Sequence, residues 1–112
     1  MTKKFYMTPG SCSTGIHILL EECGLVFEAH IVNLLAGDQY KKEYLAINPK
    51  GSIPALVLDD GSSLTEFSAI AWWLARTYPK RKLLPESIAG EVRVLGIMNY
   101  AVHTLHTQGF AR

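Results

Sequence analysis

The chain has only two cysteines, no apolar run long enough to cross a bilayer, no excess of one charge, and neither repeats nor low-complexity segments. Each shortage excludes something. Cys12 and Cys23 fall at the two ends of one expected helix, eleven residues apart. At the α-helical rise that is roughly 16 Å, far beyond disulfide reach. The thiols are therefore expected to be independent, as in a reducing compartment. The longest uncharged apolar stretch, around Leu64 to Leu74, is broken by Thr65, Glu66 and Ser68. No membrane span is expected, and Met1 to Lys4 leads into a strand too short for a secretory signal. Eleven basic against ten acidic residues leave a net charge of +1, and the one basic cluster is Lys80-Arg81-Lys82. Neither nucleic acid nor an anionic membrane is an expected partner. His103 and His106 lie three apart with no carboxylate or cysteine at matching spacing, so no metal is expected. What remains is a chain of 112 residues, 48% hydrophobic, able to build a packed core and expected in the cytoplasm.

Lys4 to Met7 reads as a short buried strand, ended by Pro9-Gly10. Ser13 to Cys23 follows as a helix with Ile16, Leu19, Leu20 and Cys23 on one face. Ser11 or Ser13 is its expected cap and Gly24 its left-handed stop. Phe27, Ala29 and Ile31 alternate with Glu28 and His30, which gives a second strand and a right-handed βαβ unit with parallel strands. A short helix is expected between Gln39 and Leu45, and Asn48-Pro49-Lys50-Gly51 is a turn by composition. Ala55 to Leu58 and Ser62 to Leu64 form a hairpin around Asp59-Asp60-Gly61. Phe67, Ile70, Ala71 and Leu74 define another amphipathic helix, stopped by Pro79. Trp72 and Trp73 cannot both face its core, so one of them meets another surface. After a linker from Lys80 to Pro85, a last helix begins near Ser87. Its stripe of Ile88, Val92, Leu95, Met98, Val102 and Leu105 must be covered by something.

Three positions can carry chemistry. Cys12 sits where the first strand hands over to the first helix. A helix N-terminus presents unpaired N–H groups and partial positive charge, so a thiol there is expected to titrate below its ordinary value. The competing reading is a small buried filler. Ile53-Pro54 precedes a strand and can be cis, which would turn the Ile53 N–H and C=O outward as a free edge for an extended peptide. The competing reading is a plain turn proline. Glu66 stands before the second long helix, where Thr65, Glu66 and the Phe67 N–H could receive an ammonium and a carboxylate together. It could equally be an acid favoured by the helix dipole. Gly15 occupies the place where a dithiol motif would carry its second cysteine, so an internal dithiol cycle is excluded.

The element order β-α-β, α, β-β-α is similar to the thioredoxin-like arrangement: an α/β domain with a mixed four-stranded sheet. More specifically, the chain resembles the cytosolic glutathione transferases, and among them the bacterial beta class. The resemblance rests on Tyr6 to Ser13, on Asn48 to Leu56, on Leu64-Thr65-Glu66 with Ala69-Ile70, and more loosely on His106 with Gly109-Phe110. It implies a glutathione-binding domain over 1–80, followed by the first helix of a truncated all-α domain over 87–112. It also implies that glutathione lies across Ile53 and Pro54, with contacts from Tyr6, Lys50, Ser52, Thr65, Glu66 and Phe67. Family members usually carry a small residue, often serine, where this chain has Phe67, so the backbone N–H must serve the carboxylate there. The resemblance makes Cys12 the residue at the glutathione sulfur, with Ser11 as a secondary donor and His106 as a nearby one. Tyr6 is the rival hydroxyl, although its place inside the strand suits a core aromatic. The implied activity is conjugation of glutathione to a small electrophile or thiol–disulfide exchange. The alternative is a non-catalytic protein that keeps the fold for partner binding or regulation. Absent helices or a second subunit would cover the stripe of the last helix, and a homodimer or higher oligomer through it and the tryptophan helix is expected.

Overall fold

The computed structural model describes residues 3–102. Strand β1 (Lys3–Met7) lies inside a four-stranded sheet of order β2-β1-β3-β4. It pairs in parallel with β2 (Phe27–Ile31) and antiparallel with β3 (Ala55–Val57), which pairs antiparallel with β4 (Ser63–Thr65). Helices α1 (Ser13–Glu22) and α3 (Phe67–Thr77) pack on one face. The short α2 (Lys42–Leu45) covers the other.

Strand alternation sorts the side chains of β1. Phe5 and Met7 face α1 and α3, and join Ile16, Leu20, Leu56, Ile70 and Leu74 in the main core. Tyr6 points to the opposite face and packs with Val32, Tyr44 and Ala55. Each fully buried Phe, Leu or Ile contributes about 1.5–3 kcal/mol, so the helix–sheet sandwich is the chief source of stability. Two glycines set its geometry. Gly24, at φ 68°, ends α1 in a Schellman motif, with Leu25 N–H donating to Leu20 O at 3.2 Å and Gly24 N–H to Glu21 O at 3.0 Å. Gly15 lets α3 approach α1: a Cβ there would lie 2.8 Å from Phe67 Cζ.

Several expectations shift in detail. The hairpin strands fall one residue later or shorter than expected, and the segment after Gly37 holds a 3-10 turn, Asp38–Tyr40, before α2. Strand β2 alternates in sequence, yet Ile31 is exposed. It is an edge strand, and only Phe27, near its start, meets Phe5 and His17 beneath α1. Ser11 and Ser13 do not cap α1; Cys12 is the N-cap and offers no side-chain hydrogen bond there. Helix α4 (Ile88–Asn99) starts at a genuine cap, with Gly90 N–H donating to Ser87 Oγ at 3.0 Å. Its expected stripe does not face the protein as one surface. Met98 packs against the core, whereas Ile88 and Val92 are 81% and 60% exposed. Leu105 lies outside the described residues. No helix among the described residues is long and apolar enough to cross a membrane.

Candidate functional site

The β1–α1 turn is tied down by hydroxyls. Thr8 Oγ1 donates to Val32 O at 2.6 Å, and Thr8 N–H donates to Ser13 Oγ at 3.1 Å. Ser11 Oγ and Ser13 Oγ reach the Thr8 carbonyl at 2.6 and 3.0 Å and lie 2.6 Å from each other. Ser11 is thus engaged in shaping the turn, which holds Cys12 half-buried at the head of α1. The expected drop in the Cys12 pKa is not found. Burial pushes the thiol above its ordinary value, the Cys12 backbone N–H opposes this, and the Glu66 carboxylate adds to the rise. Position on a helix gave the dipole but not the desolvation, and desolvation wins.

Ile53-Pro54 is the cis peptide bond expected there. Ile53 lies two residues before Ala55, which pairs with Tyr6 on one side and Thr65 on the other. Ile53 therefore sits between the Cys12 turn and the start of α3. Among the described residues its backbone makes no backbone hydrogen bond, so both its polar groups are open to a ligand. Glu66 follows β4 at φ 77° and ψ 130°, a conformation that costs a non-glycine residue about 1–3 kcal/mol and that clusters at ligand clamps. Its carboxylate pairs with Lys50 Nζ, both side chains being about half-exposed. The Phe67 N–H, first in α3, has no acceptor among the described residues. Cys12, Lys50, Ser52, Ile53, Pro54, Thr65, Glu66 and Phe67 thus converge at one end of the sheet.

Tyr6 does not join them. Its ring stacks on His30 at 4.9 Å and meets Tyr44 at 5.7 Å on the face opposite α1, which removes it as a rival activator of sulfur. His106 lies outside the described residues. No group of three or more metal-ligating side chains occurs among the described residues.

Two residues of the site escaped the sequence reading. Tyr44 Oη and Asn48 Nδ2 both donate to Ser52 O, the latter at 2.9 Å, and Asn48 Oδ1 accepts from Lys50 N–H at 3.2 Å. Asn48 is fully buried and Tyr44 nearly so. Burial pushes the Tyr44 hydroxyl above its ordinary pKa, so it remains a donor. Their spacing of four, on a short helix running into an Asn-Pro turn, was the available signal.

The sheet order and the two helices on one face define a thioredoxin-like domain. Comparison with known proteins makes this specific. Residues 10–77 match the glutathione S-transferase N-terminal domain. Glutathione S-transferase GstA of Escherichia coli O157:H7 is 41% identical over 113 aligned positions, covering 96% of this chain and 54% of that protein. The maleylacetoacetate isomerase of Pseudomonas aeruginosa is 34% identical, covering 91% of this chain and 50% of its own length. Among solved structures, a Sulfitobacter glutathione transferase homologue with bound glutathione superposes with a TM-score of 0.88 at 36% identity, covering 95% of this chain and 51% of that one. A beta class glutathione S-transferase from Sphingomonas chungbukensis gives 0.81 at 33% identity, with coverages of 93% and 53%. The chain belongs to the glutathione S-transferase family and carries its N-terminal domain. It spans about half the length of the relatives it matches.

Proposed function

We propose that this chain binds glutathione as an extended peptide and supplies the glutathione half of a transferase site. The observation that carries this is the convergence of an open Ile53 backbone with the strained Glu66, beside Cys12. Ile53 N–H and C=O would pair with the cysteinyl unit. The γ-glutamyl ammonium would exchange onto Glu66 and its carboxylate onto Phe67 N–H, with Thr65 alongside. Lys50, the ion-pair partner of Glu66, and Ser52, next to Ile53, complete the contacts. Cys12 then meets the ligand sulfur, and its burial bears on the reaction. A thiol that stays protonated near neutral pH can donate a hydrogen bond to a glutathione thiolate. Thiol exchange needs Cys12 itself ionised: its thiolate attacks the disulfide of a glutathionylated thiol, forms the Cys12–glutathione disulfide and releases the other thiolate. The raised pKa of Cys12 favours conjugation, in which the glutathione sulfur attacks an electrophilic carbon and displaces its leaving group. The glutathione domain spans 1–80 and α4 opens a helical one from 87, whose residues 103–112 lie outside the described residues, in a cytoplasmic protein with two free thiols.

Isothermal titration with reduced glutathione tests this. A micromolar-to-millimolar dissociation constant that rises in Glu66→Ala supports it, and no heat of binding at millimolar ligand overturns it. Turnover with a generic aryl halide separates a transferase from a non-catalytic binder. A second copy of the chain is the proposed cover for the cleft of about 480 Å³ beside α3 and α4, where Leu64, Ala69, Trp72, Trp73 and Leu95 present apolar surface. Sedimentation equilibrium at micromolar concentration should give a dimer; a monomer sinks that proposal.

A further inference from the structure

We propose that Tyr44 and Asn48 are positioning residues that aim the Ile53 N–H at the ligand by clamping the carbonyl on the other side of the same peptide group. The inference rests on the glutathione reading above and deepens it. Ser52–Ile53 is a trans peptide, since Ile53–Pro54 is the cis bond recorded among the described residues. In a trans peptide the C=O and the following N–H point in opposite directions. Tyr44 Oη and Asn48 Nδ2 hold Ser52 O from the protein interior. Ile53 N–H must then face away from them, and it has no backbone acceptor among the described residues.

The clamp is built from buried material. Asn48 is 0% exposed and Tyr44 5% exposed. Asn48 uses its remaining acceptor on Lys50 N–H at 3.2 Å, so one amide also fixes the loop that carries Lys50. Asn48 Nδ2 lies 3.3 Å from Ser52 Oγ as well. Tyr44 is held in turn by the edge of the Tyr6 ring, which gives Tyr6 an indirect place beneath the site. Without these donors the Ser52 carbonyl is free to exchange its partners for water, which favours rotation of the peptide outward. That rotation would carry Ile53 N–H inward.

Tyr44→Phe tests the clamp with little change in volume, and Asn48→Ala tests its second donor. The probes are glutathione and γ-glutamylethylamide, which keeps the γ-glutamyl group and the amide N–H but has no cysteinyl carbonyl to accept from Ile53 N–H. For Tyr44→Phe we expect the glutathione dissociation constant to rise about five- to tenfold. The constant for γ-glutamylethylamide should stay within about twofold. An equal loss on both ligands, or no loss on glutathione, overturns the proposal; should Asn48→Ala fail to fold, Tyr44→Phe alone decides. A ligand-free measurement separates this from the reading it rests on. In wild type the Ile53 amide should exchange with solvent as an unprotected N–H, and in Tyr44→Phe its exchange and chemical shift should change while α1 and α3 amides do not. If wild type fails to bind glutathione, the proposed function falls and amide exchange still decides the clamp.

Discussion

Glu66 is held at φ 77° although it is not glycine, and that conformation has a price in stability. Glu66→Gly should therefore raise stability by about 1 kcal/mol, since the half-exposed pair with Lys50 is worth little. The same change should weaken glutathione binding about tenfold or more, because a charged hydrogen bond is lost. Denaturant melts and titration calorimetry on one variant check both signs; a variant that loses both stability and affinity would mark Glu66 as structural. The thiols give a second test. Burial raises both Cys12 and Cys23 in the folded chain. A group with a raised folded pKa contributes fully below its unfolded value, about 8.5 for a thiol, and that contribution is lost as pH rises through the folded value. The urea midpoint should stay level to about pH 8 and fall above it, and Cys12 alkylation should be slow at pH 7. Fast alkylation at pH 7 would restore an activated thiolate. Cys12, Ile53 and Glu66 were legible in the sequence because each stands where a strand and a helix or turn meet. The acidity of Cys12 was not, because helix position reveals a dipole, while burial and the charge of Glu66 depend on chain far from Cys12 in sequence. Tyr44 and Asn48 were hidden for another reason: they act on a backbone carbonyl, which every residue has.

At the scale of elements, α1 and α3 are matched through one small residue and one large one. Gly15 faces the Phe67 ring so closely that an added Cβ would meet it at 2.8 Å. Gly15→Ala should cost about 1–3 kcal/mol by overpacking, and adding Phe67→Leu should recover much of it. Additive losses in the double variant, read by denaturant melts, would remove the contact as the cause. Among the described residues the four strands and helices α1 to α4 were legible from period and punctuation, with Gly24 and Ser87 marking a stop and a start as expected, whereas the 3-10 turns at Asp38–Tyr40 and Pro79–Arg81 were not. Periodicity says which residues share a face but not what the face meets. Hence Ile31 alternates correctly and is still exposed at the sheet edge. Likewise Val94 joins Met98, Leu19 and Ala71 beside α3, while Ile88 and Val92 of the expected stripe face outward.

For the molecule as a whole, the candidate site draws on three stretches of chain, at Cys12, Ile53 and Glu66-Phe67, held together through the register of β1, β3 and β4 and the packing of α1 on α3. A ligand touching all three would act as a non-covalent cross-link whose strength is set by concentration. It binds the folded chain and has no equivalent in the unfolded one, so mass action must convert occupancy into resistance to heat. At a hundredfold excess over its dissociation constant, glutathione should add about 2.7 kcal/mol. For a chain of this size that is a rise in Tm of about 10–20 °C. Thermal melts across a glutathione series would show the rise growing logarithmically with concentration, and a flat series would dissolve the cross-link. The strands that carry these stretches would then be the parts of the fold that glutathione protects most.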